Sequence, residues 1–483
     1  MSITQMKKLD TVTALRDYVA GLGVEIPIAD TVSGTGALST PITITDGAAG
    51  PLQVGNRWCI LPMEGWDAET DGRVSELVRR RWRRFGSSGA KLIWGGEAVA
   101  VRPDGRANPR QLVSAPDRVD DFARLRTDLV DAHREAGFVT DDLVVGLQLT
   151  HSGRWSRPDG QPAPRTMYRH PVLDARVGVG PEGVLHDDEL HEIVDSYVGA
   201  ARLAAAAEFA FVDVKACHGY LLHESLTAID RPGVYGGDFM GRTRLLLSII
   251  DRIRREVPDL GVVVRLSAVD EVPHTQDEDG LGVPEPAADN RLCFGRGTDD
   301  AAIDLDEPDR LLDELAARGV GAVCVTLGSP YYNPHIQRPA FFPPSDGYLP
   351  PEDPLVGVAR QLDITRRLTR SHPDLTIVGS AYSYLQQWLP NVAEAVVASG
   401  GADLVGLGRM VLSYPHLPAD VAAERELERR FICRTFSDCT TAPRNGLVSG
   451  CYPLDPFYKE RPERRALTIA KREAEARRGG RRR

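Results

Sequence analysis

Short apolar runs alternate with amphipathic, charge-bearing stretches along most of the chain. The apolar runs are RWCILPM (57–63), KLIWGGEAV (91–99), LVVGLQLTH (143–151), FAFVDVKA (209–216), GVVVRLSAV (261–269), GAVCVTLGS (321–329), LTIVGSAYS (375–383) and DLVGLGRM (403–410). Their β-branched and aromatic content and their length predict buried strands. The intervening stretches include RVSELVRRRWRRFG, DRVDDFARLRTDLVDAHREAG, DELHEIVDSYVGAARLAAAAEF, GRTRLLLSIIDRIRREV and EPDRLLDELAARG. Each carries the helical period, and several end on Gly or Pro signals. Strict alternation of strands and helices implies a parallel sheet with helices outside. Eight such units predict an α/β fold of the closed (β/α)8 TIM-barrel type rather than an open doubly wound sheet. A dinucleotide-binding sheet would carry G-x-G-x-x-G after the first strand, and none is there.

The pattern breaks at both ends and at two long excursions. Residues 1–36 read as an appendage, with a helix over LDTVTALRDYVAGLG, and 33–55 read as loop or hairpin. The expected organisation is an appendage over 1–36, a barrel over 37–425 and a C-terminal extension over 426–483. The excursion 270–305 is acidic and Gly-rich. The excursion 330–353, PYYNPHIQRPAFFPPSDGYLPPED, is too apolar for disorder and is expected to wall a pocket. Its Tyr331, Tyr332, Asn333, His335 and Arg338 are candidate substrate-binding residues.

Composition narrows the partners. The chain has 483 residues, 42% hydrophobic and 26% charged, with a formal net charge of −10, which gives nucleic acid nothing to hold. The basic RRGGRRR end reads as a solvated, disordered tail. Seven cysteines are too few, and an odd number, for a disulfide framework, so a reducing compartment is expected. The N-terminus lacks the apolar core of a signal peptide, and no apolar run is long enough to span a membrane. The expectation is a cytoplasmic protein acting on a small molecule; the sequence allows a homo-oligomer without specifying one. Trp58 and Trp94 read as packing.

Candidate chemistry concentrates in FAFVDVKACHGYLLHESLTAIDRPGVYGG (209–237). Lys215, Cys217, His218 and Tyr220 crowd the C-terminal end of the fourth strand, the end at which parallel barrels do chemistry. Gln148 on the third strand offers both a donor and an acceptor, and Arg265 on the fifth is a permanent cation inside an apolar run. Gly379 with Ser380, and Gly408 with Arg409, follow the last two strands, where barrels commonly bind phosphate.

These residues resemble a known family. Lys215, His218, Gly219-Tyr220, Arg231 and Tyr235-Gly236-Gly237 resemble the fourth-strand signature of the Old Yellow Enzyme family, FMN-dependent ene-reductases. NRWCILPMEG resembles its first-strand segment, GLQLTHSGR its third, VVRLSA carries the fifth-strand Arg, and GADLVGLGRMVLSYPHLP resembles the eighth. The resemblance covers about residues 37–425. It implies FMN, with NAD(P)H as reductant. It assigns flavin contacts to Pro62, Met63, Glu64, Gly96, Gln148, Arg265, Gly379, Ser380, Gly408 and Arg409, and catalysis to Tyr220 as proton donor with His218 and Lys215 as carbonyl donors. The implied reaction is reduction of an activated C=C bond by hydride transfer with tyrosine protonation.

Two positions depart from the family. Lys215 stands where His or Asn is usual, and would stabilise an enolate or grip a substrate carboxylate. Glu64 stands where Thr or Cys is common, and would lower the flavin potential. The two are expected to pair, directly or through substrate. They leave open an FMN-dependent dehydrogenase oxidising a C–C or C–N bond, and a non-catalytic flavin-binding subunit. FICRTFSDCTTAPRNGLVSGCYPLDPFY resembles the four-iron cluster segment of longer relatives such as 2,4-dienoyl-CoA reductase and trimethylamine dehydrogenase. Only Cys433, Cys439 and Cys451 are present, so no iron–sulfur cluster or other metal is expected, although Asp438 is a conceivable fourth ligand. With no further nucleotide-binding domain before residue 483, electrons are expected from diffusible NAD(P)H or a partner.

Overall fold

In the computed structural model, eight parallel strands close on themselves. They are β1 (Trp58–Ile60), β2 (Leu92–Ile93), β3 (Val144–Thr150), β4 (Phe211–Ala216), β5 (Gly261–Val269), β6 (Ala322–Leu327), β7 (Thr376–Gly379) and β8 (Leu404–Leu407). β8 pairs with β1 and β2 with β3, which seals the (β/α)8 barrel. The structure describes residues 3–47, 49–297 and 302–480.

Every barrel strand is buried along its whole length, because helices cover the outside and side chains fill the inside. The two-residue alternation sorts the side chains. On β4, Phe211 joins the interior cluster with Trp94, Val263, Cys324 and Leu404, while Val212, Val214 and Ala216 join the outer layer against the helices. The same alternation sends Asp213 and Lys215 inward with Phe211.

Helices Glu76–Gly86, Val119–Glu135, Asp187–Ala206, Phe239–Glu256 and Asp306–Ala317 lie where the sequence period predicts them. Helices Pro354–Ser371 and Leu389–Ala398 follow β6 and β7. Strand ends differ from the sequence expectation. KLIWGGEAV is not one strand: it breaks at Gly95 and Gly96, both at positive φ, between β2 and a short strand Ala98–Ala100 paired with β3. A Cβ at Gly95 would meet the Gln148 amide nitrogen at 2.6 Å, so glycine is required there. The runs after Gly379 and Leu407 likewise leave the sheet, into turns and short helices that border the functional cleft.

The glycine-containing stretch before β1 is an antiparallel hairpin, Ile42–Asp46 with Gly50–Val54. Its Ile44 and Val54 join the interior cluster and close the N-terminal mouth of the barrel. The appendage helix Val12–Gly21 packs Leu15 and Val19 into the outer core, and Tyr18 donates to Asp353 at 2.5 Å. The acidic excursion after β5 contains a small hairpin, His274–Gln276 with Gly282–Pro284; its residues 298–301 lie outside the described residues. Residues 477–480 of the basic end are helical rather than the disordered tail expected from its charge. Helix Glu463–Gly480 runs into it, and residues 481–483 lie outside the described residues. No helix among the described residues is long and apolar enough to cross a membrane.

Candidate active site

The C-terminal mouth of the barrel opens into a cleft lined by the strand ends, the excursion after β6 and the C-terminal extension. Register builds its floor. Gln148 pairs with Asp213, and Lys215 with Arg265, across neighbouring strands. The buried Asp213 carboxylate accepts from Gln148 Nε2 at 2.6 Å and from the Arg265 backbone amide at 2.7 Å. Burial raises its pKa to about 6, against those two bonds and the Arg265 charge. Asp213 thereby fixes the amide of Gln148. Arg265 is 6% exposed, and its Nε has no protein partner.

Beyond β4 the chain turns sharply, with His218 at φ 66° and Gly219 at φ 75°. His223 Nδ1 accepts from the Gly219 amide at 2.9 Å, and Ser267 Oγ accepts from the His218 amide at 3.1 Å. This turn swings Tyr220 beside Lys215, whose Nζ lies 3.8 Å from the Tyr220 ring centroid. The Tyr220 hydroxyl donates to Glu64 Oε2 at 2.9 Å and lies 2.9 Å from the Tyr331 hydroxyl. Lys215 Nζ is 3.9 Å from Glu64 Oε2, so the expected pair forms directly. Burial lowers the Lys215 pKa, with Glu64 opposing. Burial, then Glu64 and Tyr331, raises that of Tyr220 well above an ordinary phenol. Burial and the neighbouring cations Arg265 and Lys215 keep His218 neutral, and its Nε2 is 3.2 Å from Gln337 Nε2.

The far end of the cleft is cationic. Arg409 follows Gly408, and Arg338 comes from the excursion after β6. Arg409 donates to the Pro339 carbonyl at 3.0 Å and Arg338 to Thr440 Oγ1 at 2.6 Å. Even so, Arg409 Nη1 and Arg338 Nε and Nη2 are buried without partners. Burial and the adjacent Arg409 bring the Arg338 pKa down to about 10. A Cβ added at Gly408 would meet only Met63 Sδ, at 3.7 Å, so this backbone is bare toward the cleft. Unpaired guanidinium donors beside bare glycine backbone suit a phosphate, and the Gln148–Arg265 floor suits a polar ring edge that takes negative charge. The donor set fits FMN.

Of the residues singled out from the sequence, Pro62, Met63, Glu64, Gln148, Lys215, His218, Tyr220, Arg265, Tyr331, Arg338, Ser380, Gly408 and Arg409 line this one cleft. The Ser380 hydroxyl is already used, donating to the Val325 carbonyl at 2.8 Å. Five others lie elsewhere. Gly96 sits against the Trp82 ring, and its carbonyl accepts from the Met63 amide at 3.1 Å. Gly379 packs under the Tyr382 hydroxyl. Tyr332 and Asn333 turn away from the cleft to bond the buried Asp270, at 2.6 and 2.8 Å. His335 is drawn into an aromatic cluster, 2.7 Å from the Tyr348 hydroxyl and edge-on to His274.

The cleft also holds residues the sequence reading passed over. Thr326 was legible, since Cys324 two positions earlier faces the barrel interior. Thr440, Pro443, Arg444 and Ser449 arrive from the C-terminal extension, together with Cys439, singled out above only as a candidate ligand, and Arg444 stacks on the Tyr331 ring at 4.4 Å. Tyr331 is itself stacked on Trp155 at 4.4 Å. Cys433, Cys439 and Cys451 are free thiols, and burial raises the pKa of each. Among the described residues, no group of three or more His, Cys, Asp and Glu side chains is placed to hold a metal ion.

Comparison with known proteins agrees with this geometry. Residues 38–311 match the NADH:flavin oxidoreductase / NADH oxidase family. An NADH:flavin oxidoreductase from Gibberella zeae is 27% identical over 425 residues, covering 83% of this chain and 89% of that one. An NADPH dehydrogenase from Bacillus subtilis is 30% identical over 240 residues, covering 48% of this chain and 64% of that protein. The Old Yellow Enzyme homologue from Zymomonas mobilis superposes with a TM-score of 0.55 at 20% identity, over 81% of this chain and 94% of that one. The chain belongs to the NADH:flavin oxidoreductase / NADH oxidase family, that of Old Yellow Enzyme, and is an FMN-dependent NAD(P)H oxidoreductase.

Proposed function

We propose that the barrel, residues 37–425, reduces the activated C=C bond of a small α,β-unsaturated carbonyl compound, with the extension 426–483 completing its cleft. One observation carries this reading: Lys215, His218 and Tyr220, two donors and a phenol from a single strand end, converge in the cleft that also holds Gln148 and Arg265. FMN, held by Gln148, Arg265, Arg338, Gly408 and Arg409, supplies the hydride when bound. Lys215 and His218 hold the carbonyl oxygen. Lys215 contributes more, because its charge meets the negative charge that develops there. Tyr220 gives its hydroxyl proton to the α-carbon, and Lys215 Nζ beside its ring stabilises the phenolate left behind. Tyr331, pinned between Trp155 and Arg444, walls the substrate side.

Positioned general acids contribute about 10²–10⁴-fold. Tyr220→Phe is therefore expected to slow anaerobic turnover of cyclohexenone or a related enone with NAD(P)H by about that factor. Turnover at the wild-type rate would refute the role of Tyr220. A second reading is favoured by one contact: the Tyr220 hydrogen already points at the Glu64 carboxylate, the arrangement a proton acceptor needs. In that reading the cleft oxidises a C–N or C–C bond, and an amine or acid substrate alone bleaches the flavin without NAD(P)H.

A further inference from the structure

Resting on the reading that Tyr220 protonates the substrate, we infer that Glu64 is the proton relay that recharges Tyr220 from solvent after each turnover. Tyr220 is 2% exposed, so water does not reach its hydroxyl directly. Two protic groups touch that hydroxyl, Glu64 Oε2 and the Tyr331 hydroxyl, both at 2.9 Å. Glu64 is the better conduit for two reasons. Its side chain is 19% exposed, which gives it access to water. A carboxylic acid is also far more acidic than a phenol, so transfer from Glu64 to a Tyr220 phenolate runs downhill. Tyr331 is a second phenol whose pKa burial, and then Glu64, also raises, so it offers no carboxylic-acid proton.

The relay balances. Tyr220 loses its O–H proton to the substrate α-carbon, where a C–H bond forms. Glu64, a carboxylate accepting from Tyr220 in the structure, then takes a proton from solvent, and that new O–H breaks as the Tyr220 O–H re-forms, which returns Glu64 to the carboxylate. The electron pair in the product comes from NAD(P)H, the established reductant of the family. Lys215, 3.9 Å from Glu64 and beside the Tyr220 ring, stabilises whichever of the two is anionic.

The loop carrying Glu64 is held for this task. The Gly65 amide donates to Glu97 Oε1 at 3.1 Å, and the fully buried Glu97 shares Arg81 with Asp67. This buried ion-pair cluster anchors the backbone immediately after Glu64.

The test separates one turnover from many. FMN-loaded, pre-reduced enzyme is mixed anaerobically with cyclohexenone to read a single turnover, and steady-state kcat is measured with excess NAD(P)H. For Glu64→Gln, whose amide can donate to the phenolate but cannot give up a proton, kcat is expected to fall at least ten-fold. The single-turnover rate is expected to fall far less, since Tyr220 starts protonated. Formate or acetate, small acids able to enter the cleft, restore kcat in Glu64→Gln, and Glu64→Asp retains most of it. Equal losses in both rates without rescue by formate, or no loss of kcat, would overturn the relay while a slow Tyr220→Phe left the substrate reading intact. Wild-type rates in Tyr220→Phe would overturn that reading, and the relay with it.

Discussion

Arg338 and Arg409 show how much one pair of residues can disclose. Burial, and then the repulsion of the adjacent Arg409, brings the Arg338 pKa down to about 10. A chain keeps such a pair when an anion sits between them. Both retain unpartnered N–H groups. Charge-assisted hydrogen bonds contribute about 1.5–3 kcal/mol each, so Arg409→Ala should weaken FMN binding roughly 10–100-fold. Quenching of FMN fluorescence on titration with apoprotein measures this, and unchanged affinity would remove Arg409 from the phosphate site. The sequence put Arg409 at this end by its place after β8. It put Arg338 with the substrate residues, because only the folded excursion brings it back to Arg409.

At the scale of elements, the hairpin under the barrel is a structural plug tied by one carboxylate. Asp46 accepts from the Val262 amide at 2.9 Å and from Arg254 Nη2 at 2.8 Å, joining the hairpin to β5 and to helix Phe239–Glu256. Asp46 is almost fully buried and Arg254 nearly so. Removing one member of such a pair leaves the other charge uncompensated, at a cost of about 3–5 kcal/mol. Asp46→Ala should lower the urea midpoint correspondingly while leaving the flavin absorption spectrum of the folded holoenzyme unaltered, since the plug is at the opposite mouth from the cleft. The hairpin was legible only as loop or hairpin: its strands are short, and what makes them a plug is the ring of Trp94, Phe211 and Leu404 above them.

For the molecule as a whole, burial of histidine sets the acid limit. His151 is held at about 4 and His170 at about 4, both by burial, against an ordinary 6.5. His133, His218, His223 and His335 are lowered as well. The sign follows from linkage. A folded-state pKa below the unfolded value means stability that is complete above pH 6.5 and lost as pH falls toward 4. The lowering at His151 alone corresponds to roughly 3 kcal/mol. Burial also raises the carboxyls of Asp213 and Glu97, whose contributions run the opposite way, so the histidine part is isolated by comparison: His151→Gln should lose less stability than the unsubstituted chain between pH 6.5 and 4. The same loss in both across this window would contradict a buried neutral His151.

The sequence by itself determined the barrel, because eight apolar runs each long enough for a buried strand, separated by amphipathic helices, leave few other ways to cover both faces of a parallel sheet. It also pointed to the residues at the C-terminal mouth, since strand positions are local features: Lys215, Tyr220 and Arg409 sit at or just past strand ends, and Gln148 and Arg265 lie within their strands. Alternation even made Thr326 readable. Only the tertiary structure decided where the long excursion sends its side chains: Tyr331 and Arg338 into the cleft, Tyr332, Asn333 and His335 away from it. Only it showed that the C-terminal extension completes the site with Arg444 and Thr440, and that Glu64 meets Tyr220. The reason is separation along the chain. Glu64 and Tyr220 are 156 residues apart, and no local pattern encodes a contact made by closing a barrel.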